Sequence, residues 1–167
     1  YGGFNRYYFN NDNTVTIKKL EISDELLNNL MLFYTGITRD SKKIFEEQKK
    51  TTETKKEILD ELIEKTNMAS NYIDNKEYDK LGNLLDDVWK IKKKFASGIT
   101  NETIDDMYEK AIKNGALGGK ILGAGGGGFL LLYVPLEKQI LVKEALKEYK
   151  QIDFKTEENG STIVYKD

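Results

Sequence analysis

The chain has 167 residues, 39% hydrophobic and 32% charged, and its 26 basic and 28 acidic side chains leave a formal net charge of −2. This composition supports a single domain, residues 1–167, with a real core under a well-solvated surface, and it offers no basic excess for a nucleic-acid footprint. There is no cysteine and no histidine, which excludes disulfides, thiolate zinc sites, cysteine nucleophiles and imidazole acid–base catalysis within the chain and leaves carboxylates, Lys, Arg, hydroxyls and backbone N–H groups for any chemistry.

Residues 4–9 and 14–20 flank the turn-rich Asn10-Asn11-Asp12-Asn13 and are predicted to form a hairpin. Asp24 stands where it would cap a short helical turn over 24–29. The apolar run LMLFYT at 30–35 has the length of a buried strand. The loop Gly36-Ile37-Thr38-Arg39 follows, and a charged helix is expected from Asp40 to about Lys50. Ile58, Leu62, Met68, Tyr72 and Ile73 make a helical stripe over 53–74. A second stripe spans 76–96, through Tyr78, Leu81, Leu84, Val88, Ile91 and Phe95, with Trp89 at its edge reading as core and Gly98 as the C-cap. Gly82 inside that helix costs about 1 kcal/mol relative to alanine.

Thr100 or Asn101 caps the next helix, about 102–114, which buries Ile104, Met107, Tyr108, Ala111 and Ile112 and ends at Gly115. Strands are predicted at 120–123 and 128–134, then a helix at 137–149 after Pro135. A last hairpin, 151–156 with 161–166, turns at Asn159-Gly160. The fold class is α+β, an antiparallel sheet covered by several helices. No apolar run approaches the roughly 18 residues that span a bilayer, so no membrane partner is expected, and a cytoplasmic location is the expectation.

The most informative stretch is GALGGKILGAGGGGFLLLYV, residues 115–134. Gly123-Ala-Gly125-Gly-Gly-Gly128 fits the dinucleotide pattern G-x-G-x-x-G literally, but that pattern needs a strand before it and a helix after it. Here a helix precedes and a strand follows. The P-loop pattern fails too, because the nearby Lys120 comes before the glycines. Glycine at this density belongs where the backbone takes φ > 0, or where a phosphate or another loop approaches the bare main chain.

Three segments carry a family resemblance: LMLFYTGITRDS, LLDDVWKIKKKFASGITNETIDDMYEKAIKNGALGGK and ILGAGGGGFLLLYVP. Together they resemble the C-terminal half of the GHMP small-molecule kinases, which include galactokinase, homoserine kinase and mevalonate kinase, and most of all the D-glycero-D-manno-heptose 7-phosphate kinase members. The resemblance implies a ferredoxin-like α+β domain. It implies transfer of the γ-phosphoryl of ATP, with Mg²⁺, to a hydroxyl of a small metabolite, here the anomeric hydroxyl of a heptose 7-phosphate. Galactose- or fucose-like acceptors, or a non-catalytic ligand-binding module, are the alternatives.

In the resembled family the segment matching Thr35, Gly36, Thr38 and Arg39 borders the substrate, and Gly2 and Gly3 follow the catalytic stretch directly. Lys120, Gly123, Gly125, Gly126, Gly127 and Gly128 form the glycine-rich motif beside the nucleotide phosphates. Tyr1, Ser97 and Gly98 are further candidates to line the sugar pocket. The family's Pro-x-x-x-Gly-Leu-Gly-Ser-Ser-like ATP loop has no counterpart here, and its catalytic Asp is expected upstream of Tyr1. The expected partners are therefore a sugar phosphate and a preceding N-terminal domain. The expectation for this chain by itself is no catalytic residue, no metal ligand and no activity.

Overall fold

A computed structural model describes residues 1–38, 46 and 55–165. Phe4–Phe9 (β1) and Val15–Leu20 (β2) pair antiparallel as a separate two-stranded sheet, as their flanking of the Asn-rich turn requires. The main sheet is built on Leu30–Tyr34 (β3). It pairs antiparallel with Phe129–Tyr133 (β5) on one side and with the short Lys150–Gln151 (β6) on the other. Gly118–Ile121 (β4) adds outside β5, giving the order β4-β5-β3-β6.

Register sets the two faces of this sheet, because directly opposed residues point the same way. The pairs Met31↔Leu132, Phe33↔Leu130 and Ile121↔Leu130 place one apolar set together. That set forms a core with Trp89, Ile99, Ile104, Met107, Val142 and Leu146, all of them buried. Tyr133 lies on the opposite face, in a second cluster with Leu20, Leu26, Ile73, Tyr78, Leu81 and Leu84. The helices that supply these residues are Asp24–Asn28 (α1), Lys56–Asp74 (α2), Tyr78–Lys93 (α3), Glu102–Lys113 (α4) and Gln139–Ala145 (α5). The α+β class with antiparallel sheets is what the sequence predicts, and Trp89 is core, with no exposed surface.

Several boundaries differ from expectation for identifiable reasons. Ser23, not Asp24, caps α1: it has extended dihedrals and its side chain accepts from the Leu26 N–H, while Asp24 is already helical. The helix predicted over 76–96 stops at Lys93, and Gly98 lies in the separate one-turn segment Ser97–Ile99. No glycine cap is needed, because the N–H groups of Lys94 and Phe95 donate to the last-turn carbonyls of Ile91 and Lys92, both at 3.0 Å. Asn101 caps α4, and Gly115 at φ +108° ends it.

Among the described residues the C-terminal hairpin does not form, and of this terminal segment only Lys150–Gln151 forms a strand, paired with β3. Asn159-Gly160 does turn, with Gly160 at φ +66°, yet the segment docks on the start of the chain: Gly3 donates to the Glu157 carbonyl at 2.7 Å, and Lys19 pairs with Glu158. The helix predicted at 137–149 is shortened to the turn Leu136–Lys138 followed by α5. The expected helix at 40–50 lies outside the described residues apart from Glu46. None of the described helices is long and apolar enough to cross a membrane.

Candidate functional site

The glycine segment connects the antiparallel neighbours β4 and β5, so a strand, not the expected helix, directly precedes it, while the strand that follows still denies it the dinucleotide context; Leu122 donating to the Phe129 carbonyl at 2.9 Å closes its base. Gly123, Gly125, Gly126 and Gly128 all have φ between +75° and +104°, the region where a Cβ is strained. Gly127 needs glycine for a different reason. A Cβ there would stand 2.7 Å from the Ile37 carbonyl oxygen.

Two distant segments grip this loop from opposite sides. On one side, Gly128 donates to the Ile37 carbonyl at 2.9 Å, and Thr35 returns two bonds to the Gly128 carbonyl, one from its N–H and one from its hydroxyl, both 2.9 Å. The same Thr35 hydroxyl oxygen accepts from the Ile37 N–H at 3.3 Å. On the other side, Gly126 donates to the Ile99 carbonyl at 2.7 Å, and the Asn101 amide donates to the Gly126 carbonyl at 3.3 Å. The N–H groups of Gly126 and Gly128 are thus turned into the protein. Of the two ligands that bare glycine amides suit, these two serve another loop.

The predicted candidates divide accordingly. Thr35 joins the glycine loop but is only 3% exposed, with its hydroxyl committed to the loop. Gly36 and Thr38 follow it on the exposed side, and Gly36 has φ +74° with open space where a side chain would be. Gly123 is exposed, Gly126 and Gly128 are half-buried, and Gly125 and Gly127 are buried. Arg39 lies outside the described residues.

Gly2 and Gly3 are placed elsewhere. The Asn5 amide donates to both of their carbonyls, and a Cβ on Gly2 would fall 2.1 Å from the Glu158 carbonyl oxygen. None of their hydrogen bonds reaches the glycine loop. Tyr1 is exposed, edge-on to the Tyr7 ring, and Ser97 is exposed in the turn before α4. Sequence reasoning missed Lys92, whose ammonium donates to the Gly123 carbonyl at 3.1 Å, because its lysine-rich run reads as a solvated helix face. It also missed Ile37 and Ile99, which act through backbone carbonyls that no side-chain pattern reveals.

Lys120 is half-buried on β4 opposite Leu131, and among the described residues its ammonium has no hydrogen-bond or ion-pair partner. Burial pushes its ammonium below the usual lysine range. Between that lowered value and the ordinary one, the unfolded chain holds the extra proton, so this lysine makes stability rise with pH across that interval. Lys120→Met is therefore expected to raise Tm at neutral pH, with the gain over wild type shrinking as the buffer turns alkaline. Thermal melts of both proteins from pH 7 to pH 10 check this, and a gain that grows with pH would contradict it. Among the described residues no group of three or more His, Cys, Asp or Glu side chains is gathered where it would hold a metal ion.

Residues 69–151 match the family described as GHMP kinases C terminal. The chain is 30% identical over 168 residues to D-glycero-alpha-D-manno-heptose 7-phosphate kinase of Campylobacter jejuni, covering 96% of this chain and 50% of that enzyme. Among solved structures, L. major mevalonate kinase superposes with a TM-score of 0.74 at 19% identity, over 89% of this chain and 45% of that one. A D-glycero-D-manno-heptose 1-phosphate kinase from Bacteroides thetaiotaomicron gives 0.67 at 20% identity, over 95% and 44%. At these identities the two structures speak to the fold, and in each comparison this chain spans about half of its relative or less. With the family match added to the α+β fold and the glycine loop that follows β4, the chain belongs to the GHMP kinases, as their C-terminal domain.

Proposed function

We propose that this chain is the substrate-side half of an ATP-dependent sugar-phosphate kinase acting on the anomeric hydroxyl of D-glycero-D-manno-heptose 7-phosphate. The observation that carries this reading is the meeting of the glycine loop with Thr35 and Ile37, which brings the exposed Gly36 and Thr38 beside the half-open Gly128. The choice of heptose follows the Campylobacter relative, which aligns with nearly the whole chain. Phosphoryl transfer suits a chain without histidine or cysteine, because it depends on positioning and charge more than on a covalent nucleophile.

In this reading the loop gives the cleft a side-chain-free wall. Arg39 grips the sugar phosphate with its planar two-pronged donor set. Lys120 adds a cation that no group among the described residues pairs with. ATP, Mg²⁺ and the catalytic carboxylate belong in this reading to a preceding half, without which the chain is inactive.

The test uses the full-length polypeptide that carries this chain, assayed for ATP-dependent phosphorylation of heptose 7-phosphate, galactose and fucose. Turnover is expected with the heptose phosphate, and no turnover with any sugar removes the reading. Arg39→Ala is expected to lower kcat/KM about 100-fold by misplacing the acceptor, and Arg39→Lys does not restore it, since a point charge cannot form the fork. An unchanged kcat/KM would show that Arg39 does not touch the substrate.

A further inference from the structure

We propose that Asn101 is a positioning residue that fixes the glycine loop to the first turn of α4, one amide serving two structures at once; its kinetic consequence rests on the kinase reading above. The Asn101 backbone is extended, at φ −154° and ψ 172°, which places its side chain at the helix entrance. Its Oδ1 accepts from the Ile104 N–H at 3.1 Å, capping the helix. Its Nδ2 donates to the Gly126 carbonyl at 3.3 Å. An amide offers both an acceptor and donors, whereas the other good caps, aspartate and serine, give the carbonyl of a nearby glycine either no donor or one on a shorter arm.

The loop depends on such an anchor. Four of its residues hold positive φ, so the conformational freedom it must surrender is large. The Gly126 N–H to Ile99 bond attaches the same residue to the same segment, and Asn101 turns a single hinge point into a two-point grip. What it grips is rigid. Ile104, Met107 and Ala111, on the inner face of α4, have no exposed surface. Geometry at the loop is thus inherited from a core helix, the arrangement that holds reacting groups to small tolerances.

The first turn of α4 has a second brace, which separates the two duties of Asn101. Asp105 accepts from the Thr100 hydroxyl and from the Lys93 ammonium, each at 3.0 Å, and its own N–H donates to the Asn101 carbonyl at 2.9 Å. Asn101→Asp keeps a cap oxygen but loses the donor to Gly126. Asn101→Ser keeps a neutral cap and removes the long amide arm, and serves if the aspartate variant does not fold. Asn101→Ala removes both duties.

The test is made in the full-length polypeptide with three readouts. In Asn101→Asp, backbone amides of residues 124–128 are expected to exchange with deuterium at least about tenfold faster, while amides of 106–111 inside α4 exchange as in wild type. Its Tm stays within about 2 °C of wild type, and kcat/KM for the sugar phosphate falls about tenfold, as it does in Asn101→Ser. Asn101→Ala shows the same kinetic loss together with a lower Tm. Unchanged loop exchange in both capped variants overturns the proposal. So does faster loop exchange with unaltered kcat/KM in an active enzyme, because the loop's position would then not matter to the reaction. A wild-type polypeptide that phosphorylates no sugar ends the kinase reading alone, and loop exchange then decides the clasp by itself.

Discussion

Gly118→Ala is expected to destabilise the chain by about 3 kcal/mol, the upper end of what overpacking a core contact costs. A Cβ at Gly118 would stand 2.2 Å from the Gly82 carbonyl oxygen and 2.5 Å from the Asp86 nitrogen. Both are main-chain atoms of α3, so relief requires moving the helix off the sheet. The seam is glycine on both sides, since a Cβ on Gly82 would fall 2.5 Å from Cδ1 of Tyr133. That ring cannot swing away. Its hydroxyl donates to Asp79 at 3.0 Å and accepts from the Asn29 amide at 3.1 Å, and the side chain is 1% exposed.

The seam also reverses the sign that helix propensity assigns to Gly82. In an exposed helix, alanine at that position would gain about 1 kcal/mol. Here the collision with a pinned ring outweighs the gain, and Gly82→Ala is destabilising as well. Urea unfolding with an unchanged m value reads both effects. A Gly118→Ala midpoint equal to wild type would mean that α3 does not lie this close to β4.

The legible parts of the fold are those whose signal is local. β3 and β5 show as apolar runs, α2 to α4 as stripes at helical spacing, and Asn101 and Gly115 as end signals. The start of β4 was hidden because Gly118 and Gly119 resemble a loop; a strand tolerates them here because a helix backbone lies against one and the neighbouring strand crowds the other. The missing terminal hairpin has the converse cause. Asn159-Gly160 is a good turn wherever it sits, but turn chemistry does not choose its partner, and the chain start takes the place of a returning strand.

The contacts that build the candidate site were legible to the same degree. Glycine density and the Thr35–Thr38 segment can be read in the sequence, and the structure brings Thr35 to Gly128. The link between them runs through the carbonyls of Ile37 and Ile99, which every residue type possesses, so composition cannot single them out. Gly2 and Gly3 illustrate the opposite case. Gly2 is accounted for by close approach to the main chain of Glu158 and Gly160, and Gly3 by its φ of +78°.

On the proposed kinase reading, Gly125→Ala is expected to lower kcat/KM of the full-length polypeptide by about 100-fold, more than any other single alanine in the loop. Two separate penalties meet at this residue. Its φ of +104° is strained for any L side chain, worth on the order of 1–3 kcal/mol. Its Cβ would also lie 2.8 Å from both the Cα and the carbonyl oxygen of Ile99, and those main-chain atoms precede the capped end of a buried helix. Gly128 separates the two penalties, because it has φ +87° but nothing within 4 Å of a would-be Cβ. Gly128→Ala carries the strain alone and should lose activity by a clearly smaller factor. Equal losses in the two variants would mean that strain decides and that contact with Ile99 is incidental. A large loss at Gly125 beside a small one at Gly128 means that the loop works because its main chain rests against the entrance of α4, and moving it off that support moves the wall of the cleft.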